Sequence, residues 1–461
     1  MKRKTCRSFR LLTLLCIFLG PVLLYMPFLH AEEDREAGLG PPSDSDHVTL
    51  SMLSDYLGQA AIHNPELESA FYRWKAALEK IPQVKALPDP RFTFAYYIRN
   101  VETRVGPQQA RLALFQTFPW FGVLDLRENM AFLEAEAART QYEALKFKIF
   151  YEVKNSFYEY AYLAQAVQIA QEDIDLLHYF ESVVRARYSA GAVPYADLVK
   201  TQVQLGRLED RINTLKDLRR PLIAKLAASM NLPSDTEFPW PPTVPIMILS
   251  MTDDELFKEL PEYSPQLKRF EYLAEREKAG IELEKKNFYP EVTFGVEDII
   301  TGSALVPTTP DSGKDAVIAS VTVNIPFWWE KRKASVREGQ ARLASTSKGA
   351  EALKRSLISD MELALYKYRD AQRKIDLYLN TLLPKAEEAL AVTLEAFQAG
   401  SRTSLDLIDA EKTLLEFQLS YIRALADQAQ RVAELEMLLG KEIPCEIHGV
   451  VLPKHGGGLK P

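Results

Sequence analysis

The sequence contains one pattern twice. Tyr188-Ser189-Ala190-Gly191, followed by Asp197-Leu198, returns as Phe397-Gln398-Ala399-Gly400, followed by Asp406-Leu407, at an offset of 209 residues. Asn64-Pro65-Glu66-Leu67 matches Ser264-Pro265-Gln266-Leu267, Pro90-Arg91-Phe92-Thr93-Phe94 matches Pro290-Glu291-Val292-Thr293-Phe294, and Phe118-Pro119-Trp120 matches Ile325-Pro326-Phe327. The offset drifts only from 200 to 209, so the chain reads as one structural unit of about 200 residues duplicated in tandem. Repeat 1 is expected over 49–231, a Pro-rich linker over 232–252, repeat 2 over 253–440, and a tail over 441–461.

Each repeat centres on a rod. No glycine or proline occurs between Gly122 and Gly191, and the stretch is rich in Ala, Glu, Leu, Lys, Arg and Gln, which favour a single helix. At 1.5 Å per residue it would reach about 100 Å, too long to stand without a partner. Ile149, Val153, Ser156, Tyr160, Leu163, Val167, Ala170, Ile174 and Leu177 alternate steps of four and three, the spacing of a coiled-coil seam. Leu357, Met361, Ala364, Tyr368, Ala371, Ile375, Tyr378 and Leu382 repeat it in the second copy, where Pro384 predicts a bend or a local loosening. Each rod ends at a glycine suited to a left-handed turn, Gly191 or Gly400, and a second helix follows, to about Met230 or Leu439. Long hairpins are therefore expected at 123–230 and 330–439.

Upstream of each rod the pattern predicts a shorter helix, about 50–86 and 253–288, and then a change of period from helical to alternating. Four strands follow from that alternation, about 90–98, 109–118, 291–298 and 316–325. Their length suits tilted membrane-crossing strands, and Trp120, Phe121, Trp328 and Trp329 stand where strand gives way to helix, as a membrane-interface belt would. The alternative is a soluble sheet packed on helices. Two facts weigh against it: no segment after the N-terminal 31 residues is apolar enough to span as a helix, and four strands cannot cover two such rods. The Gly-, Ser-, Thr- and Pro-rich stretch 299–315 is expected to be an exposed, mobile loop.

The first 31 residues carry Lys2, Arg3, Lys4, Arg7 and Arg10 ahead of an apolar run from Leu11 to Leu29, the pattern of an export signal cleaved after Ala31, followed by a segment at 32–48. An uncleaved anchor is the other reading of that run. Leu15 before Cys16 argues against lipidation. Cleavage would remove Cys6 and Cys16, leave only Cys445, and move the formal charge from −7 to −12, which disfavours nucleic acid as a partner. The chain has no Gly-Lys-Ser/Thr phosphate loop, no convincing metal cluster and no catalytic constellation, so no enzyme activity, cofactor or bound metal is expected. Cys445, His448 and His455 fit no standard metal spacing, and His63 and His178 read as ordinary helix residues.

These features together resemble the TolC family of outer-membrane efflux ducts over about Val48 to Gly440. The resemblance implies a mainly α protein with a membrane β-barrel part, in which three chains pool four strands each into a twelve-stranded barrel continued by a helical tunnel through the periplasm. Thr93, Ser320, Thr322 and Asn324 would then face water. By motif position the resemblance makes Asp406, Asp409, Asp197 and Arg402 the periplasmic gate, with an Asp197–Arg402 latch. A carboxylate ring at Asp406 and Asp409 would favour cations and raise its own members' proton affinity. The same aspartates equally suit the first turn of a helix. Tyr188, Gly191, Phe397 and Gly400 would form the tip turns and dock a periplasmic adaptor that links the duct to an inner-membrane pump. Phe397 stands where some members carry a latch tyrosine. Leu87-Pro88-Asp89-Pro90 and the segment from Gln116 to Gly122 look most like the branch that serves heavy-metal cation pumps. A conduit for type I protein secretion and a periplasmic scaffold outside the membrane are the alternatives.

Overall fold

The structure, a computed structural model, describes residues 53–306 and 308–449. The expected signal peptide, the segment 32–48, Cys6, Cys16 and His455 lie outside the described residues.

Short helices open each repeat, and here a proline divides what periodicity alone joins. Helices α1 (Leu53–His63) and α2 (Pro65–Lys85) replace the single helix expected at 50–86. Asn64 between them accepts the Glu66 and Leu67 N–H groups at 3.0 and 3.1 Å and so starts a new helix. Pro65 at the first helical position has no N–H to lose there. The second repeat breaks likewise at Ser264, as shown below.

Strands β1 (Arg91–Thr103) and β2 (Gly106–Phe118) come next, and then α3 (Val123–Ser189), a single helix of 67 residues. Its expected seam is the buried one: Ile149, Val153, Ser156, Tyr160, Leu163, Ala170, Ile174 and Leu177 are buried, and Val167 is partly so. Helix α4 (Tyr195–Ser229) turns back beside it.

The Pro-rich linker and the start of the tail hold structure that the sequence did not announce. Strand β3 (Ile246–Leu249) pairs antiparallel with a strand far along the chain, β6 (Cys445–His448). This ties both ends of repeat 2 together, and Gln428 and Tyr368 lock β3 by accepting the Met247 and Leu249 N–H groups at 3.0 Å.

Repeat 2 runs through α5 (Asp253–Tyr263), α6 (Pro265–Lys286), β4 (Val292–Thr301), β5 (Ala316–Val323), α7 (Trp329–Leu377), a π-helical turn (Tyr378–Leu382), α8 (Leu383–Gln398) and α9 (Ser404–Leu439). The loosening expected at Pro384 is this π turn. Proline cannot donate to the residue four back and its ring crowds that carbonyl, and a wider turn relieves both. The π turn also inserts one residue into the heptad. After Ile375 the seam resumes at Leu383 instead of Leu382, then continues through Ala386, Leu390, Leu394 and Phe397.

The four long strands form one antiparallel sheet in the order β1-β2-β4-β5. Register puts Phe92, Leu114, Val296 and Ala319 in one row and Phe94, Leu112, Asp298 and Val317 in the next, on one face. The opposite face carries Thr93, Arg111, Thr117, Thr293, Glu297, Ser320 and Thr322. The loop after β4 is fastened more than its composition implied. Gly302 and Gly313 donate to the Pro107 and Val105 carbonyls at 2.7 Å, and Asp315 accepts the Thr301 N–H at 2.8 Å.

Candidate gate and membrane sheet

Helix termination shapes the tips. Gly191 and Gly400 take φ of +70° and +78°, and their N–H groups bond the Tyr188 and Phe397 carbonyls at 2.9 and 3.0 Å. The next N–H groups, of Ala192 and Ser401, reach back to the Arg187 and Ala396 carbonyls at 2.9 Å, which closes both helices tightly. Both repeats therefore turn in the same way.

Three side-chain contacts join the two tips. Arg187 on α3 donates to the Gln398 carbonyl at 2.7 Å and lays its guanidinium 4.3 Å above the Phe397 ring. The Ser404 hydroxyl, buried at the start of α9, donates to the Asp197 carboxylate on α4 at 2.9 Å. The expected Asp197–Arg402 contact is not formed within the chain. Arg402 is exposed in the turn before α9, while Ser404 fills the space beside Asp197, and the Arg402 charge acts on Asp406.

Phe397 differs from its expected role too. At 1 % exposure it supports the tip from inside and presents no surface to a partner. Tyr188 stays exposed, its ring 5.4 Å from that of Tyr195. Arg187 and Ser404 were missed by sequence reasoning: the tip motif pointed to the acidic residues, and nothing in linear spacing sets which hydroxyl or guanidinium reaches across.

The two aspartates of α9 have separate surroundings. The Thr403 N–H and hydroxyl both donate to the Asp406 carboxylate at 3.0 Å, and the Asp406 N–H returns a bond to the Thr403 hydroxyl, a capping box. Those donors, with a smaller contribution from Arg402, hold the Asp406 carboxyl below the usual carboxylate range. Asp406 thus fills the helix-start role. Asp409, one turn on, is exposed on the face opposite buried Leu407 and Glu411.

At the sheet, the apolar face lies open: Phe92, Phe94, Tyr96, Phe294, Val317 and Val321 are exposed, and Ile98 is 94 % so. Among the described residues no helix is long and apolar enough to cross a membrane. The opposite face carries an Arg111–Glu297 ion pair at 2.7 Å and a Thr117–Thr293 hydroxyl contact at 2.8 Å. Phe121 and Trp328 are 83 % and 77 % exposed, Trp329 is also exposed, and Trp120 stacks on Tyr289 at 5.1 Å. Among the described residues no group of three or more His, Cys, Asp or Glu could hold a metal. Cys445 and His448 point to opposite faces of β6.

An apolar-faced sheet mounted on helical rods about 100 Å long, with the hairpin tips tied together, has the architecture of an outer-membrane channel protein. The sequence matches the family described as Outer membrane efflux protein over residues 56–231 and again over 256–441, once per repeat. It is 20 % identical over 447 residues, 94 % of this chain and 100 % of the relative, to the cobalt-zinc-cadmium resistance protein CzcC of Cupriavidus metallidurans. The fold is similar to the outer membrane protein VceC of Vibrio cholerae, with a TM-score of 0.69 at 18 % identity over 84 % of this chain and 96 % of that one. A membrane protein of Pseudomonas aeruginosa gives a TM-score of 0.73 at 15 % identity, covering 86 % of this chain and 91 % of that one. The chain belongs to the outer membrane efflux protein family, the TolC family. It is an outer-membrane protein whose helices extend on the periplasmic side.

Proposed function

We propose that this protein is the passive exit duct of a tripartite efflux system. The observation that carries this is the sheet: its apolar face is bare, and β1 and β5 are both open edges. Unpaired strand edges are prohibitive in lipid, and four strands are too few to close. Three copies joined β5 to β1 make twelve strands, enough for a water-filled lumen lined by the Thr93, Arg111, Glu297 and Thr322 face. Trp120, Phe121, Trp328 and Trp329 then sit at the periplasmic membrane interface.

The hairpin tips form the periplasmic gate, with Asp409 as its carboxylate ring and Asp406 capping α9 behind it. A periplasmic adaptor seats on the tips around Tyr188 and Tyr195, and an inner-membrane pump supplies the energy. The likeness to a cobalt-zinc-cadmium resistance protein supports divalent heavy-metal cations as cargo. A cation cargo also suits a carboxylate constriction. The test is the tolerance of a deletion strain to cobalt, zinc and cadmium salts, to drugs, and its secretion of proteins. Loss of cation tolerance, restored by the parent gene, is expected. Loss of drug tolerance or of protein secretion alone would assign a different cargo.

A further inference from the structure

Two acids face each other inside the seam that joins the hairpins. Asp173 on α3 is 1 % exposed, Glu411 on α9 is 4 % exposed, and Glu411 hydrogen-bonds to Asp173. Farther from the tips the same seam pairs opposite charges: Lys154 lies 2.5 Å from Glu436, and Arg423 lies 2.8 Å from Glu159. Near the tips that pattern gives way to acid on acid. The surroundings are apolar, with Ala170 and Leu177 one turn either side of Asp173, and Leu407 and Leu415 one turn either side of Glu411, all buried.

An ionised carboxylate only accepts hydrogen bonds, so this contact exists only while the pair holds at least one proton. Among the described residues, the charged groups that shift Glu411 are Asp173 from α3 and Lys412 from α9 itself. Burial first, then the Asp173 contact, push the Glu411 carboxyl up to about 10, against a smaller opposing effect of Lys412. The closed seam thus favours the protonated pair.

The seam is also a place where the hairpins can separate. One hairpin is α3 with α4, the other is α8 with α9, and parting α3 from α9 near Asp173 and Glu411 would widen a constriction made by their tips.

We propose that Asp173 and Glu411 form a proton-sharing latch that closes the hairpin seam and releases its proton when the tips open. This rests on the assignment of the tips as the gate. On opening, water enters the seam, the carboxyl O–H bond breaks, the proton passes to water, and two solvated carboxylates remain. The closed state binds the extra proton, so its advantage is full below the ordinary glutamate range and declines as pH rises toward the raised value. Opening is thereby coupled to proton release.

Two measurements test it. In planar bilayers the open-to-closed ratio of the parent duct should rise with pH between about 5 and 9, by at most about tenfold per pH unit, the limit for one proton. The paired substitution Asp173→Asn with Glu411→Gln keeps the shapes and one amide-to-carbonyl bond, and should flatten that dependence. An unchanged profile in the paired variant would overturn the proposal. Infrared spectroscopy of the detergent-solubilised trimer at about pH 8, where ordinary carboxyls are ionised, should show a protonated-carboxyl band that Glu411→Gln removes. Absence of that band in the parent overturns the latch whether or not the protein conducts. A band that is present in a protein that never conducts would instead count against the gate.

Discussion

The Arg187 guanidinium stands 4.3 Å above the ring of Phe397, and its other end holds the Gln398 carbonyl, so one side chain of the first hairpin clasps the last turn of the opposing rod. A ring with no hydroxyl suffices for this clasp. Arg187→Ala should therefore weaken tip closure by about 1 to 2 kcal/mol, allowing for the partial exposure of the contact. Leak current through the reconstituted protein measures it, and Arg187→Lys should restore less than half, having no planar face to lay on the ring.

Ser404 and Arg402 can be ranked. Ser404 is buried and bonded to Asp197, while Arg402 is exposed, so Ser404→Ala should raise leak conductance more than Arg402→Ser does. The lost bond corresponds to about 1 kcal/mol. The reverse order would restore the Asp197–Arg402 latch, formed between chains.

The cap at Thr403 titrates. Because its donors lower the Asp406 carboxyl, the cap's contribution is present above the ordinary aspartate range, about pH 4, and is lost as pH falls through the lowered value. Asp406→Asn should remove that acid-dependent part of thermal stability while leaving cation selectivity largely intact. Asp409→Asn should do the opposite, reducing selectivity for cations at an unchanged melting temperature.

Glycine positions separate conformational strain from collision. At Gly191 and Gly400 a Cβ meets nothing, so alanine there costs only the left-handed backbone, about 1 kcal/mol. At Gly106 the Cβ would come within 1.8 Å of the Gly302 carbonyl oxygen, where the loop after β4 crosses the β1–β2 turn. Gly106→Ala should therefore lower the yield of folded, heat-sensitive oligomer far more than either tip substitution.

Much of this architecture was legible because it is periodic. The steps of four and three from Ile149 to Leu177 are the buried seam, and the alternation from Phe92 to Ile98 is the exposed apolar row. What escaped was set by contacts distant in sequence or by single atoms. Strand β3 is four residues long and pairs with β6 almost 200 residues later, a match that no local pattern records. The break at Asn64 hid inside an unbroken helical period, since proline is welcome at a first helical position. The shift of the second seam from Leu382 to Leu383 needed the π turn to be seen. At the tips the motif located the turns, yet which donor reaches Asp197, and that Asp173 meets Glu411, depend on how two rods lie in register.

The central claim is that the bare sheet face lies in lipid and that three chains close one wall. The most direct measurement is the mass of the protein extracted from outer membranes in mild detergent, by analytical ultracentrifugation with the detergent contribution matched out. Three copies per particle, falling to one on heating, is the predicted result. A single copy that stays in solution after the detergent is withdrawn would contradict it.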